Sequence, residues 1–426
     1  MFNAISIHNE WDVDKGQKDA QVVKLRLAVQ GSNSPLALQE LKLDLSLCSS
    51  LKNIKRVHIY STGSKANSKK WVALKSGGFA PEKYMTLKFK EQSSTKLRDG
   101  INYFLVTFDI ADNAVVGDTV DAKITDIKIN DQNVKPEEDR SAIYSQVSLN
   151  SRCNKNILRV LQWNIWHGGV HIANSGRMRV LELTRSSNAD IIMMQEAYGI
   201  QNMLADSLNY YLRTKSSKDN LALYSRYPID TISFREPFKS NPVEITLSCG
   251  RKVLFVDLWL RYAYNPEYTS GYANKGWDTN QWVKEDSLLA LTDIKNIIEK
   301  DVKYNIEENM PVIITGDFNS CSHLDWTEKT KKLHYGYGTV NFPVSRYMAS
   351  QGFIDCFRFL HPDEVNWQCG TISAIWNQMQ MARIDFIYYK DNTLKPVSCK
   401  VIRTAPNIDD VWPSDHAAVV ATFLVE

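Results

Sequence analysis

The stretch Pro311-Val-Ile-Ile-Thr-Gly-Asp-Phe-Asn-Ser320 holds the residue types best suited to chemistry. Its apolar and β-branched run predicts a buried strand, and Gly316 predicts a turn that brings out Asp317 and Asn319 at the strand's carboxyl end. That end is where α/β sheets bind their ligands. An acid and an amide two residues apart on a strand point the same way, so the pair could share a phosphate, a water or a metal. The pattern recurs along the chain. Asn164 closes Ile157-Leu-Arg-Val-Leu-Gln-Trp-Asn164, and Glu196 closes Asp190-Ile-Ile-Met-Met-Gln-Glu196. Asp385 lies in Arg383-Ile-Asp-Phe-Ile-Tyr-Tyr389, and Asp415-His416 directly precede a final apolar run, Ala417 to Phe423. One acid at a strand end is ordinarily just solvated, so the weight lies in the set.

Two textures must position these groups. From Gln21 to Leu149, segments such as Val22-Val-Lys-Leu-Arg-Leu-Ala-Val29 and Leu41-Lys-Leu-Asp-Leu-Ser-Leu47 alternate apolar and polar residues. That alternation marks strands with one buried face and predicts an all-β sandwich over residues 1–150. Residues 131–156 are polar and turn-prone and read as a linker. Beyond it, strand-like runs near 157–164, 190–196, 221–225, 242–248, 253–260, 312–317, 383–389, 400–403 and 417–423 mix with helical patterns. The helices are expected near 178–185, 282–301 and 344–351, which makes residues 157–426 a layered α/β domain.

Composition narrows the class. At 426 residues the chain exceeds a single core and suits two. A net charge of +3 carries no demand for nucleic acid, whose binders concentrate a basic face. The seven cysteines contain no Cys-x-x-Cys pair, so zinc clusters and thioredoxin-type motifs are unsupported. No apolar run reaches the length of a membrane-spanning helix. The first residues are too polar for a signal peptide.

The first region resembles the N-terminal domain that accompanies BNR-repeat neuraminidases. The likeness rests on Lys55-Arg-Val-His-Ile-Tyr-Ser-Thr-Gly63, and on Gly100-Ile-Asn-Tyr-Phe-Leu-Val-Thr-Phe-Asp-Ile-Ala-Asp112 followed by Val116-Gly-Asp-Thr-Val-Asp-Ala. It implies a glycan-facing or bracing module and an extracytoplasmic setting, whether periplasmic, secreted or surface-bound.

In order and spacing, Asn164, Glu196, Asp317, Asn319, Asp385 and Asp415-His416 resemble the endonuclease/exonuclease/phosphatase superfamily, the fold of pancreatic deoxyribonuclease, exonuclease III and neutral sphingomyelinase. That resemblance implies a four-layer sandwich, two packed β-sheets flanked by helices. It also implies a phosphoesterase dependent on Mg²⁺ or Mn²⁺, most plainly a phosphodiesterase using an activated water. Hydrolysis builds negative charge on phosphate oxygens, which a divalent cation offsets. By the family pattern Glu196 is the principal metal ligand, assisted by Asp415. Asn164 and Asn319 hold the phosphate or orient water, Asp317 or His416 accepts the water's proton, and Asp385 fixes the His416 tautomer.

One departure stands out. Many members carry a second His after a strand reading apolar-x-Asn-Thr-His-Leu, and here Phe255-Val-Asp-Leu-Trp-Leu-Arg-Tyr262 puts Trp259 at that place. Arg261 or Tyr262 could then help the leaving oxygen, while Trp259 lines the pocket or packs in the core. His167 and His323 could also contact phosphate. The insert Arg261 to Trp277, rich in Tyr and Gly, reads as a recognition lip or a self-packed loop. The competing functions are a nuclease of DNA or RNA, a sphingomyelinase-like lipid-headgroup phosphodiesterase, and a non-catalytic glycan-binding protein.

Overall fold

The structure, a computed structural model, describes all residues except 1, 32–34, 67, 69, 140–144, 150–153, 173–174, 234, 263–275, 307–309, 335, 374–381 and 404–410. The chain divides into two compact units, one within residues 1–150 and the other over 151–403 and 412–426.

In the first unit, alternation of apolar residues produces two sheets. The strands Phe2–His8, Ala20–Val29, Gly100–Ile110 and Ile54–Gly63 pair antiparallel in that order at the heart of a six-stranded sheet. A five-stranded sheet contains Lys123–Ile129, Leu36–Asp44 and Tyr84–Lys88. Leu25, Leu27, Val57, Phe104, Val106 and Phe108 from one sheet meet Leu41, Leu43, Leu87, Ile124 and Ile127 from the other in a continuous apolar core. Part of the expected linker belongs to this unit. Gln132–Val134 extends the smaller sheet, Glu137–Asp139 pairs with Phe2–His8, and Val147–Ser148 pairs with Val13–Asp14. Polar residues suffice there because short edge strands are held by backbone bonds rather than by a buried face.

The second unit contains two six-stranded sheets. Each is built around one parallel pair, Ile157–Asn164 beside Ile191–Gln195 in the first sheet and Lys252–Trp259 beside Val312–Asp317 in the second. Antiparallel strands flank these pairs, Ala418–Val425 in the first and Asp385–Lys390 in the second. The central strands of the two sheets face each other. Because strand side chains alternate, Val312, Ile314 and Gly316 turn outward while Ile313, Thr315 and Asp317 turn inward. Outside the second sheet, Ala290, Ile294, Ile297, Val344 and Met348 pack on Leu254, Val256, Leu258, Val312 and Ile314. On residues, this is the four-layer arrangement expected.

Where the sequence predicts one helix over 282–301, two α-helices and a π-helical turn, Ile298–Val302, occur. The first, Thr279–Leu288, starts early because Asp278 and Gln281 form a reciprocal capping box. It stops at Leu289 (φ −111°, ψ −78°), and Ala290–Ile297 follows. The two serve different clusters. Trp282 packs with Trp326 and Phe342, whereas Ile294 and Ile297 pack on the sheet.

Candidate active site

Asn164 links the two sheets. Its Nδ2 lies 3.1 Å from both Glu196 Oε1 and Asp317 Oδ2, so one amide donates to two carboxylates. Asn319 donates from its backbone to Asp317 Oδ1 at 2.9 Å and from Nδ2 to Asp317 Oδ2 at 3.1 Å and Leu260 O at 2.9 Å. The Asp317–Asn319 pairing therefore arises differently from the sequence expectation. The strand ends at Asp317, and Asn319 folds back with φ +47°. Gly316 has a different task as well. At φ +153°, a Cβ there would sit 1.9 Å from the Leu258 carbonyl, so only glycine admits this close strand approach. Glu196 too is left-handed, at φ +54°. Backbone strain of this kind persists only where the surroundings enforce it, and it gathers at functional sites.

His416 and Asp385 form the second part. Nδ1 of His416 lies 2.9 Å from Asp385 Oδ2, which assigns the proton to Nδ1 and turns Nε2 toward Asp317 Oδ2 (3.9 Å) and Asp415 Oδ1 (4.0 Å). The other oxygen of Asp385 accepts from Gln162 Nε2 at 2.9 Å. The His416 carbonyl accepts from Trp163 Nε1 at 3.1 Å and Trp412 Nε1 at 2.7 Å. Ser414 Oγ donates to Asn164 O at 2.7 Å and accepts from His416 N at 3.0 Å. Burial works against charge on His416, yet Asp385, Asp317 and Asp415 outweigh it and hold the imidazolium well above its ordinary range. Burial pushes the Asp317 carboxyl up to about 8, with His416 pulling it down and Asp385 raising it further. These groups titrate as a set.

A cleft of about 200 Å³ opens over them. Glu196, Asp317, Asn319, Asp415 and His416 form its polar part, and Trp166, His167, Trp259 and Tyr262 the rest. His167 and Trp166 sit in a run of positive φ made possible by Gly168, where a Cβ would lie 2.7 Å from the Tyr198 carbonyl. Nε2 of His167 lies 3.4 Å from Glu196 Oε2, and its Nδ1 lies 2.7 Å from His171 Nε2.

Two expected contacts are not brought to the cleft. Arg261 turns away because Asp293 takes its Nε and Nη2 at 2.8 Å each. His323 spends its ring on Ser345 Oγ at 2.8 Å. Asp385 stands behind His416 rather than on the wall. Most of the expected recognition lip, residues 263–275, lies outside the described residues.

The donor set fits a hard divalent cation at Glu196 and Asp415. Both carboxylates face the cleft, and Asp415 Oδ1 is buried and accepts no hydrogen bond among the described residues. Burial, with Glu196 nearby, raises the Asp415 carboxyl, although His416 lowers it. Such a crowd of oxygens suits Mg²⁺, which takes few protein ligands. Asp317, Asp385 and His416 lie closer to one another, but all three are fully buried and bond among themselves and with neighbours. They are less suited to hold an exchangeable ion.

Sequence reasoning missed a polar ladder between the sheets. Gln162 Nε2 also donates to Gln195 Oε1 at 2.8 Å, and Gln195 Nε2 donates to Asp257 Oδ1 at 2.7 Å. Gln162 stands two residues before Asn164 and so shares its face, a signal the alternation contained. Burial raises the Asp257 carboxyl well above its ordinary range, although the Gln195 amide pulls it back.

Residues 161–416 match the endonuclease/exonuclease/phosphatase family, and residues 3–133 match the N-terminal domain of BNR-repeat neuraminidase. The chain is similar to the uncharacterized protein F14F9.5 of Caenorhabditis elegans, 27% identical over 303 residues, covering 64% of this chain and 93% of that one. Similar solved structures include an AP endonuclease from Archaeoglobus fulgidus, 18% identical, covering 63% of this chain and 100% of that one with a TM-score of 0.41. Another is the Neisseria 3′ phosphatase NExo bound to product DNA hairpin, 19% identical, covering 62% and 99% with a TM-score of 0.42.

Proposed function

We propose a function from one premise: the chain belongs to the endonuclease/exonuclease/phosphatase family. Members of that family are hydrolases acting on phosphoester bonds. The finer reading is a phosphodiesterase that requires Mg²⁺ or Mn²⁺. The observation that carries it is the Asn164 amide bridging Glu196 and Asp317 in a cleft that also contains Asp415 and His416.

In this reading Asn164 and Asn319, whose side-chain N–H groups are spent on Glu196, Asp317 and Leu260, hold the carboxylates in place rather than gripping the phosphate as expected, and Asp385 holds the His416 imidazolium in one orientation against the reacting group. A water oxygen bonds to phosphorus as the bond to the leaving alcohol oxygen breaks. The water's proton passes to the Asp317 carboxylate, and the departing oxygen takes up a proton, which the His416 imidazolium can give, to leave as the alcohol. Glu196 and Asp415 would hold a divalent cation, which would supply charge compensation for the phosphate oxygens. Trp259 supplies no acid, so the proton for the leaving oxygen comes from another donor.

Bis-p-nitrophenyl phosphate tests the reading. The expected result is turnover with Mg²⁺ or Mn²⁺, abolished by chelation and reduced about 10³-fold or more in Glu196→Gln, as for loss of a principal electrostatic group. Equal turnover in Glu196→Gln, or none in the wild type with either metal, rejects it.

The first unit supports a second element of the proposal, a glycan-facing role outside the cytoplasm. Its outer face sets the Tyr60 and Trp71 rings, 5.5 Å apart, beside a bonded group of Asp19, His58 and Asp109. Flat rings beside carboxylates are the chemistry that grips sugars. A glycan array of the whole protein checks it. Signal lost in Trp71→Ala supports the role, and silence on every glycan rejects it.

A further inference from the structure

Resting on the phosphodiesterase reading, we infer that the cleft is built for a small diester with one phosphate and an uncharged, flat-faced group, not for a nucleic-acid strand. The charge pattern argues first. Among the described residues no lysine or arginine lines the cleft, whereas Glu196, Asp317 and Asp415 do. A nucleic-acid strand presents a phosphate at each neighbouring nucleotide, and proteins that grip it do so with rows of lysine and arginine.

Two cations beside the Trp259 wall, Arg261 and Lys239, are engaged by one acid. Arg261, two residues past Trp259, gives Asp293 two 2.8 Å bonds. Lys239, whose carbonyl accepts from Trp259 N, gives Asp293 Oδ1 another at 2.9 Å. Asp293 is 2% exposed, and although burial raises its carboxyl, Arg261 and Lys239 bring it below the ordinary range. Asp293, together with Glu236 at 3.2 Å from Lys239, thus engages both cations in ion pairs.

Aromatic surface stands where cations are missing, and both sheets supply it. Trp166 follows the strand Ile157–Asn164 and stacks on His171, with centroids 4.1 Å apart at 26°. Trp259 ends the strand Lys252–Trp259 and is held edge-on by Phe238 at 5.5 Å and Tyr262 at 6.0 Å. Rings fixed by their neighbours lose little entropy when a flat group settles on them. The volume of about 200 Å³ lies below the roughly 300–1,000 Å³ of drug-sized ligand sites, which suits one small diester rather than a run of nucleotides.

Three probes test this on the holoenzyme with Mn²⁺: p-nitrophenyl phenyl phosphate, methyl p-nitrophenyl phosphate and an end-labelled single-stranded oligodeoxynucleotide. The first two share a leaving group and differ only in the ring. The expected result is a KM about tenfold lower for the phenyl diester, the size of one stacking contact. Trp259→Ala and Trp166→Ala narrow that gap, chiefly through KM. Oligonucleotide cleavage is expected to be at least 100-fold poorer in kcat/KM than that of the phenyl diester. Equal KM for the two small diesters overturns the inference, and so does efficient oligonucleotide cleavage that falls steeply with salt. Because the first comparison uses unmodified protein, a variant that fails to fold does not blunt it. Failure of all three probes, with bis-p-nitrophenyl phosphate also untouched, overturns the phosphodiesterase reading itself. Turnover of bis-p-nitrophenyl phosphate without a ring preference overturns only the substrate class.

Discussion

Both units are sandwiches of two sheets, but they fill the space between the sheets in different ways. In the first unit a continuous apolar cluster joins the sheets, from Leu25 and Phe108 on one sheet to Leu41 and Ile127 on the other. In the second, one end of the filling is polar. Gln162 bonds to Asp385, Gln195 to Asp257 and Asn164 to Asp317, each bond running from one sheet to the other. Gln162 Oε1, Asp257 Oδ2 and Thr315 Oγ1 there accept or give no hydrogen bond among the described residues. Buried polar groups cost free energy unless fully bonded, so a core under selection for stability alone would be apolar, as the first unit's is. The polar end of the second core lies under the cleft, and its bonds fix the rotamers of Asp317, Asp385 and His416. Stability is given up there for orientation.

Substitutions in the two cores break this comparison in opposite ways. The largest effect is expected for His416→Gln, which keeps a donor for Asp385 and should lower kcat on bis-p-nitrophenyl phosphate by about 10²–10⁴ while costing less in unfolding than emptying an apolar core site. Phe108→Ala in the first core should do the reverse. It empties a fully buried site, so denaturant unfolding should show a loss of about 3–5 kcal/mol, with kcat per folded molecule unchanged. Gln162→Met falls between them. It keeps the length of the side chain but removes donors to Asp385 and Gln195, and should cost about 1–3 kcal/mol in unfolding. It should also lower kcat more than it changes KM, because Asp385 no longer holds one orientation. Unchanged kcat would make the ladder a matter of packing alone.

The last expected effect is a pH dependence. Asp286, buried under Ser320 Oγ at 2.8 Å, has its carboxyl raised to about 7 by that burial, against about 3.9 in the unfolded chain. The folded form therefore binds the extra proton between these values, so stability falls as pH rises from about 4 to 7 and levels off above. Asp286→Asn should remove that slope, its thermal midpoint gaining on the wild type across the same window. A parallel pair of curves would refute the shift.

Much of the site could be read in the chain because an apolar strand that ends in Asn, Glu or Asp displays its last residue. Asn164, Glu196 and Asp317 announced themselves that way, and His416 by standing just before the final apolar run. Gln162 and Gln195 did not, since a polar residue inside a strand reads as solvent-facing until a second sheet is known to cover it. The supports of His416 were hidden for another reason. Trp163, Trp412 and Ser414 act through single bonds to or around one backbone group, and no periodicity encodes these. Arg261 misled because an arginine beside a cleft reads as an anion contact, and the Asp293 that captures it lies on a helix thirty-two residues later. The buried network of Asp325, Asp355, Arg358 and Arg383 was likewise invisible, for charge pairing across the chain leaves no local pattern.

Manganese titration of chelator-stripped protein, followed by electron paramagnetic resonance alongside turnover, tests the convergence of these side chains most directly. One tight site that fills in step with bis-p-nitrophenyl phosphate hydrolysis, and that weakens severely in both Glu196→Gln and Asp415→Asn, is the predicted result. Turnover independent of manganese, or a tight site indifferent to both substitutions, would contradict the assignment of cation and phosphate to this cleft.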